Sequence, residues 1–224
     1  MKITWRSEAL NLILLAAMFI ISAASWSSAP ERIPVHWDIT GQPDRFGGKF
    51  EGLFFLPLMA AGIYLLLLYL PRLDPKRVNY EKFGGVYRII RTLLVVFMFG
   101  LHGVIVASAV HEVPIDVGTA VMVMVGLMLA VLGNYFGKLK PTWFVGIRTP
   151  WTLTSELSWV KTHRLGGRVF VVFGLLMALA GIVGEPWLFI GVMGAFMASI
   201  VFLMIYSYTV WKADPDRGNG PGKQ

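Results

Sequence analysis

Among the 224 residues there is no cysteine, and only 15% are charged. The missing thiols exclude disulfides, thiolate metal sites and a cysteine nucleophile, and they are silent on compartment. The missing charge says more. A soluble domain has about a quarter of its residues charged. With 56% hydrophobic residues and a mean hydropathy of +0.65, this chain lacks the polar surface to cover a soluble body of its size. Lipid is the expected solvent. Acids are also scarce, 13 against 20 Lys and Arg, for a formal charge of +7. In a membrane protein such an excess marks cytoplasmic loops rather than nucleic-acid binding, so no direct nucleic-acid contact is expected.

The constellations that an enzyme needs are absent too. There is no Gly-x-Ser-x-Gly nucleophile elbow, and His111-Glu112 lacks the second histidine of a zinc-protease helix. His36, His102, His111 and His163 are too dispersed to converge on one metal. The sequence therefore predicts no catalytic residue, no metal and no cofactor. A lipid-modifying enzyme using Arg148, Glu156 and His163 stays open as an alternative. So does transport of a small molecule or ion, for which polar groups deep in the bilayer are the signature. His102 is the one obvious titratable group that the pattern places there.

What is present in quantity is long apolar runs. About 20 residues of helix cross roughly 30 Å of hydrocarbon, and six stretches qualify: Ala9–Ser27, Leu53–Leu70, Ile89–Val110, Val117–Phe136, Val169–Val183 and Trp187–Trp211. The expected fold class is all-α, a polytopic membrane protein of six transmembrane helices. Counting Lys and Arg by connection gives 17 on one side and 3 on the other. That asymmetry puts both termini in the cytoplasm. The first apolar run, which continues through Trp26, is read as a retained anchor rather than a cleaved signal. The expected organisation is a two-helix unit over residues 1–88 with an extracytoplasmic loop at 29–52, a four-helix unit over 89–212 with a cytoplasmic loop at 137–168, and a disordered tail at 213–224. Gly184-Glu185-Pro186 predicts a tight final hairpin. Gly174-x-x-x-Ala178, Ala180-x-x-x-Gly184 and Gly191-x-x-x-Ala195 are read as letting the last two helices approach closely, or as serving a homo-oligomer.

Two connections exceed what turning around requires. In the outer one, Thr40-Gly41-Gln42-Pro43 predicts a turn, flanked by Val35-His36-Trp37-Asp38 and Asp44-Arg45-Phe46. Two readings stand: aromatic residues resting at headgroup level, or an outward recognition surface of His36, Trp37, Asp38, Gly41 and Arg45. The inner connection holds GIRTPWTLTSELSWVKTHRLGGRVF, Gly146–Phe170, with two tryptophans and five basic side chains counting His163. A helix is expected from about Ser155 to Leu165, capped by Thr152 or Thr154 with Glu156 in its first turn, stopping at Gly166-Gly167. On it Glu156, Trp159, Val160 and His163 share one face. Here too, two readings stand: a surface shaped for a partner, or a plug folded against the helices.

Gly133-Asn134-Tyr135, then Gly146-Ile-Arg148-Thr149-Pro150-Trp151-Thr-Leu153, then Trp159 followed by Lys161-Thr162-His163-Arg164, resemble the signature of the SdpI family of bacterial membrane immunity proteins. Thr142 stands where that family usually carries Asn. The Pro34-x-His36-Trp37 and Gly41-x-Pro43 elements are similar to the domain of unknown function that often precedes this signature. The resemblance implies an immunity protein against a secreted, sporulation-delaying type of peptide toxin, one that also senses the toxin and holds a small transcriptional repressor at the membrane. It implies no chemistry of its own. Its partners would be membrane lipids, a toxin at the outer face and a soluble repressor at the inner one.

Overall fold

The computed structural model describes residues 4–38 and 40–217. In order these form α1 (Trp5–Ser25), β1 (Ile33–Trp37), β2 (Pro43–Gly47), α2 (Lys49–Leu73), α3 (Asn79–Ala109), α4 (Val117–Phe136), α5 (Pro150–Thr154), α6 (Glu156–Val183) and α7 (Pro186–Lys212). Six helices, all but α5, are long and apolar enough to span a membrane. The expected six-span helical architecture is borne out, with one addition. The first connection is a β-hairpin, with β1 paired antiparallel to β2 and Ile33 opposite Gly47.

The helices are built inside out relative to those of a soluble protein. In α1 the buried positions are Glu8, Asn11, Leu15, Met18, Ser22 and Ser25, the alternating three- and four-residue spacing of one helix face. Leu10, Ile13 and Ile20 lie outward and exposed, where lipid would cover them. The polar face is used twice. Near the start of α1 the Glu8 carboxylate accepts from Arg91 on α3 at 2.5 Å, from Tyr64 on α2 at 3.1 Å and from Asn11 at 3.2 Å. One ion pair thus ties three helices together. This corrects the view of His102 as the one titratable group within the spans, because Glu8 and Arg91 are buried in the same bundle. Near the other end, Ser22 serves the backbone of α2.

That service repairs damage done by proline. Pro57 and Pro71 lie inside α2, and a proline has no N–H to offer the carbonyl four residues earlier. The two carbonyls deprived in this way are those of Leu53 and Leu67. Ser22 Oγ donates to the Leu53 carbonyl at 2.6 Å, and Tyr87 Oη of α3 donates to the Leu67 carbonyl at 2.5 Å. With its proton so engaged, Ser22 Oγ accepts from His102 Nε2 at 3.2 Å. Without water in the hydrocarbon, such neighbouring side chains are what make an intrahelical proline tolerable.

The second half of the chain packs differently. Gly126 and Gly133 of α4 lie against Gly174 and Gly167 of α6, so that a Cβ on Gly126 would sit 2.5 Å from the Gly174 carbonyl oxygen and one on Gly133 would sit 2.6 Å from that of Gly167. The small residues therefore serve the α4–α6 contact. This corrects the assignment of Gly174, Ala178 and Gly191 to an α6–α7 approach: Gly174 and Ala178 meet α4, and a Cβ on Gly191 would meet open space. The final turn is as expected, with Gly184 at φ 76° closing α6 before Pro186 opens α7. At the chain's end Asp214 is buried and accepts from Ser155. The tail expected from residue 213 is thus anchored at its start, and residues 218–224 lie outside the described ones.

If Ser22 replaces the donor that Pro57 lacks, Ser22→Ala lowers stability by about 1–3 kcal/mol, whereas in a Pro57→Ala background, where residue 57 supplies its own N–H, the same change costs well under half of that. Thermal unfolding of the four purified forms in detergent measures this coupling, and simple additivity of the two changes would refute it.

Candidate functional site

The hairpin and the inner connection lie at opposite ends of the bundle. The hairpin covers one end, where Ile33 is fully buried with Leu53, Ile105 and Val106 and Trp37 packs beside them. Its tip is built by two residues of the expected outer set. Asp38 accepts from the Thr40 hydroxyl at 2.6 Å and from the Thr40 and Gln42 amides at 2.8 and 3.0 Å. These bonds, the hydroxyl's foremost, hold its carboxyl below the usual carboxylate range. Gly41 turns at φ 81° and rests on Gly118 at the start of α4. Exposed His36 meets Asp44 at 2.6 Å, and Arg45 meets Glu51 at 2.8 Å. Between the tip and the α3–α4 connection lies a cleft of 340 Å³, bordered by Trp37, Gln42, Ile105 and Asp116.

At the other end, the inner connection is a folded body rather than a loop. Its centre is Trp159, which is fully buried, stacks on the His163 ring at 4.0 Å and donates from Nε1 to the Leu139 carbonyl at 2.9 Å. The Ile147 amide donates to His163 Nε2 at 2.9 Å. That leaves the imidazole proton on Nδ1, which donates to the Trp159 carbonyl at 2.8 Å. The neutral ring is thereby fixed in tautomer and orientation. Gly146 lies against this ring at φ 114°, where any side chain would collide with His163 and Trp159.

The next segment is fastened to α7. Thr149 caps α5 in a reciprocal box with Thr152, with Pro150 as the first helical residue. Thr149 also bonds Ser207 of α7 at 3.0 Å, and Ser158 donates to the Ser207 carbonyl at 2.8 Å. Trp151 packs on Tyr208 with ring centroids 5.2 Å apart. Thr149 and Ser155 are therefore the caps, in place of Thr152 or Thr154, because a proline and an acid respectively follow them at the first helical position. The helix expected to stop at Gly166-Gly167 continues unbroken to Val183. Those glycines are there for contact, Gly166 beneath Ile147 and Gly167 against Gly133.

Of the expected inner set, Gly146, Thr149, Trp151, Trp159 and His163 belong to this folded body. Thr162 is buried beside them, its hydroxyl without a hydrogen-bond partner among the described residues. Asn134, Arg148, Pro150 and Arg164 face outward. Arg148 reaches back to the Trp143 carbonyl at 2.9 Å, so the one arginine of the Gly-Ile-Arg-Thr-Pro-Trp run braces the loop while keeping its guanidinium exposed. Thr142 is fully buried and donates to the Val145 carbonyl at 2.8 Å.

Residue types alone did not single out Asp74. This buried carboxylate, just past α2, accepts from the Tyr80 hydroxyl at 3.0 Å, the Trp143 amide at 3.0 Å and the Lys76 amide at 2.8 Å. It joins the α2–α3 turn to the inner connection. Burial pushes the Lys76 ammonium below its usual range, against the pull of Asp74, and its Nζ donates to the Leu153 carbonyl at 3.2 Å. A Leu-Asp-Pro triplet after an apolar run was the available signal for Asp74. No group of three or more His, Asp or Glu residues suited to a metal occurs among the described residues.

Six apolar helices, a hairpin closing one end and a folded connection closing the other define a multi-pass membrane protein. Residues 138–207 match the SdpI/YfhL protein family, and residues 13–61 match a domain of unknown function, DUF1648, so the resemblance seen in the two signatures is borne out. The chain is 23% identical over 207 residues to "Immunity protein SdpI" of Bacillus subtilis, covering 92% of this chain and 97% of that one. It is 33% identical over 75 residues to an uncharacterized protein of Archaeoglobus fulgidus, covering 33% of this chain and 40% of that one. No solved structure matches it.

Removing the imidazole by His163→Ala strands the Ile147 amide, at a cost of about 1–3 kcal/mol to the folded connection. Tryptic cleavage after Arg148, slow in the native protein, is expected to accelerate by at least about tenfold, with the six-helix body intact by circular dichroism. An unchanged cleavage rate would show that the imidazole does not hold the connection closed.

Proposed function

We propose that this protein is an immunity protein of the membrane, protecting its cell from a secreted peptide toxin. The observation that carries the reading is the likeness to Bacillus subtilis Immunity protein SdpI over 92% of the chain, across both the hairpin-bearing and the connection-bearing halves. The sidedness proposed with it is the one favoured by the distribution of Lys and Arg: hairpin outside, termini and long connection in the cytoplasm. On this arrangement the outer cleft beside Trp37 meets the toxin, with His36 and Arg45 at its approach. Sensing and the holding of a soluble repressor fall to the exposed inner groups, chiefly Arg148 and Arg164. Their pose on a braced connection supports that assignment, because recognition is cheaper when the surface is already ordered. No reacting constellation enters the proposal.

Transport is the second reading, and it has an observation of its own. Glu8, Arg91 and His102 are buried among α1, α2 and α3, and ionisable groups inside a bilayer are costly enough to suggest a task. The fixed partners of Glu8 and Ser22 favour a structural task over a conducting one.

The test is survival of a toxin-sensitive bacterium expressing the chain, challenged with a sporulation-delaying type of peptide. The native chain protects. Arg148→Ala and the pair His36→Ala with Arg45→Ala each lose protection at equal abundance in the membrane. Failure of the native, well-inserted chain to protect would sink the immunity reading, and a flux lost in Glu8→Gln or His102→Ala would move it to transport.

A further inference from the structure

Where α4 meets α6 near the inner connection, the two backbones touch through Gly133 and Gly167. Because neither residue has a side chain, the contact leaves a cleft of 370 Å³ on the outside of the bundle. Arg164 and Arg168, one helical turn apart on α6, border it from one side and Asn134 from the other. Val171 and Val172 form its apolar wall, with Val172 exposed. Neither guanidinium has an ion pair or side-chain hydrogen bond with another described residue.

The depth of the cleft follows from helix length. At 1.5 Å per residue, the 28 residues of α6 extend about 42 Å, well beyond the roughly 30 Å of hydrocarbon. Counting about 20 residues back from Val183 brings the hydrocarbon boundary to the neighbourhood of Arg164. Arg164 lies beside Gly137, which ends α4, and the partial negative charge of that helix end favours a cation there. Arg168, a turn further into the membrane, has no such compensation. From that level an outward guanidinium reaches back toward the headgroup layer, where an anionic partner stabilises it.

We propose that this cleft binds the phosphate of an anionic membrane lipid. The phosphate would lie between the two guanidiniums with the Asn134 amide as a further donor, while the first methylenes of an acyl chain run along Val171 and Val172. A free phosphate would satisfy the arginines equally well and leave the valine wall bare. The continuity of basic and apolar surface is what favours the lipid. The site shares Arg164 with the repressor contact proposed above, but it rests on the cleft's own lining and does not depend on the immunity reading.

The experiment is native mass spectrometry of the full chain in detergent micelles, titrated separately with phosphatidylglycerol, phosphatidylcholine and inorganic phosphate. The native protein is expected to retain phosphatidylglycerol over phosphatidylcholine by on the order of tenfold or more, given the worth of basic side chains at an anionic surface. Arg164→Gln with Arg168→Gln removes that preference, while Lys138→Gln with Lys140→Gln leaves most of it. Both arginines are exposed, and Arg168→Gln alone, expected to lose a large part of the preference, guards against a folding artefact. Equal retention of the two lipids by the native protein would overturn the proposal. So would a preference undiminished in the double arginine variant, or inorganic phosphate binding as well as phosphatidylglycerol.

Discussion

Two carbonyl oxygens set the terms on which the first half of this protein holds together. Leu53 and Leu67 lose their helical donors to Pro57 and Pro71, and each receives a hydroxyl from a neighbouring helix. In lipid an unpaired carbonyl has no water to turn to. The registers of α1 and α3 against α2 are therefore fixed by the need to bring Ser22 and Tyr87 to those two points. Glu8 and Arg91 add a third polar tie among the same helices. Such pairs contribute more to defining one arrangement than to stability as such, since the desolvation of both partners offsets much of their attraction.

The same demand for partners shapes the second half outside the spans. A long connection carries many backbone donors and acceptors, and burying it requires each to be matched. Trp159 and His163 meet part of that requirement from the overlong start of α6 and Asp74 meets part from the α2–α3 turn, while Ser207 of α7 holds the hydroxyls of Thr149 and Ser158. Of the two readings the inner sequence left open, a surface for a partner and a plug against the bundle, the structure shows the plug. The aromatic and hydroxyl residues are the plug, and Arg148, Lys161 and Arg164 are left on its outside.

The number of spans was legible because apolar runs of helical length leave little choice, and the turn at Gly41 because Gly-x-Pro restricts the backbone so strongly. The inner connection was legible as unusual but not as folded. Gly166-Gly167 was read as a stop because glycine ends helices in water; here it marks where another chain segment comes close, and no local pattern separates those uses. The buried stripe of α1, with Glu8, Asn11, Ser22 and Ser25 at helical spacing, went unread, because Glu8 fell just outside the apolar run and Arg91 was counted with the loop cations. Hydropathy windows average away single charges, and only partners in space reveal them as a pair. For Asp74 the Leu-Asp-Pro triplet marked a turn but not its role, since its three donors come from residues 2 to 69 positions away.

The absence of cysteine makes the central claim, a hairpin outside and a folded connection inside, directly measurable with single-cysteine variants labelled by a membrane-impermeant maleimide. The account predicts that Phe46→Cys in the hairpin reacts in intact cells, that Lys140→Cys reacts only after permeabilisation, and that Ser158→Cys, fully buried between α6 and α7, stays unreactive in both until the protein is denatured. Labelling of Lys140→Cys in intact cells would invert the topology, and labelling of Ser158→Cys at the rate of Lys140→Cys would mean that the inner connection is not the folded body described here.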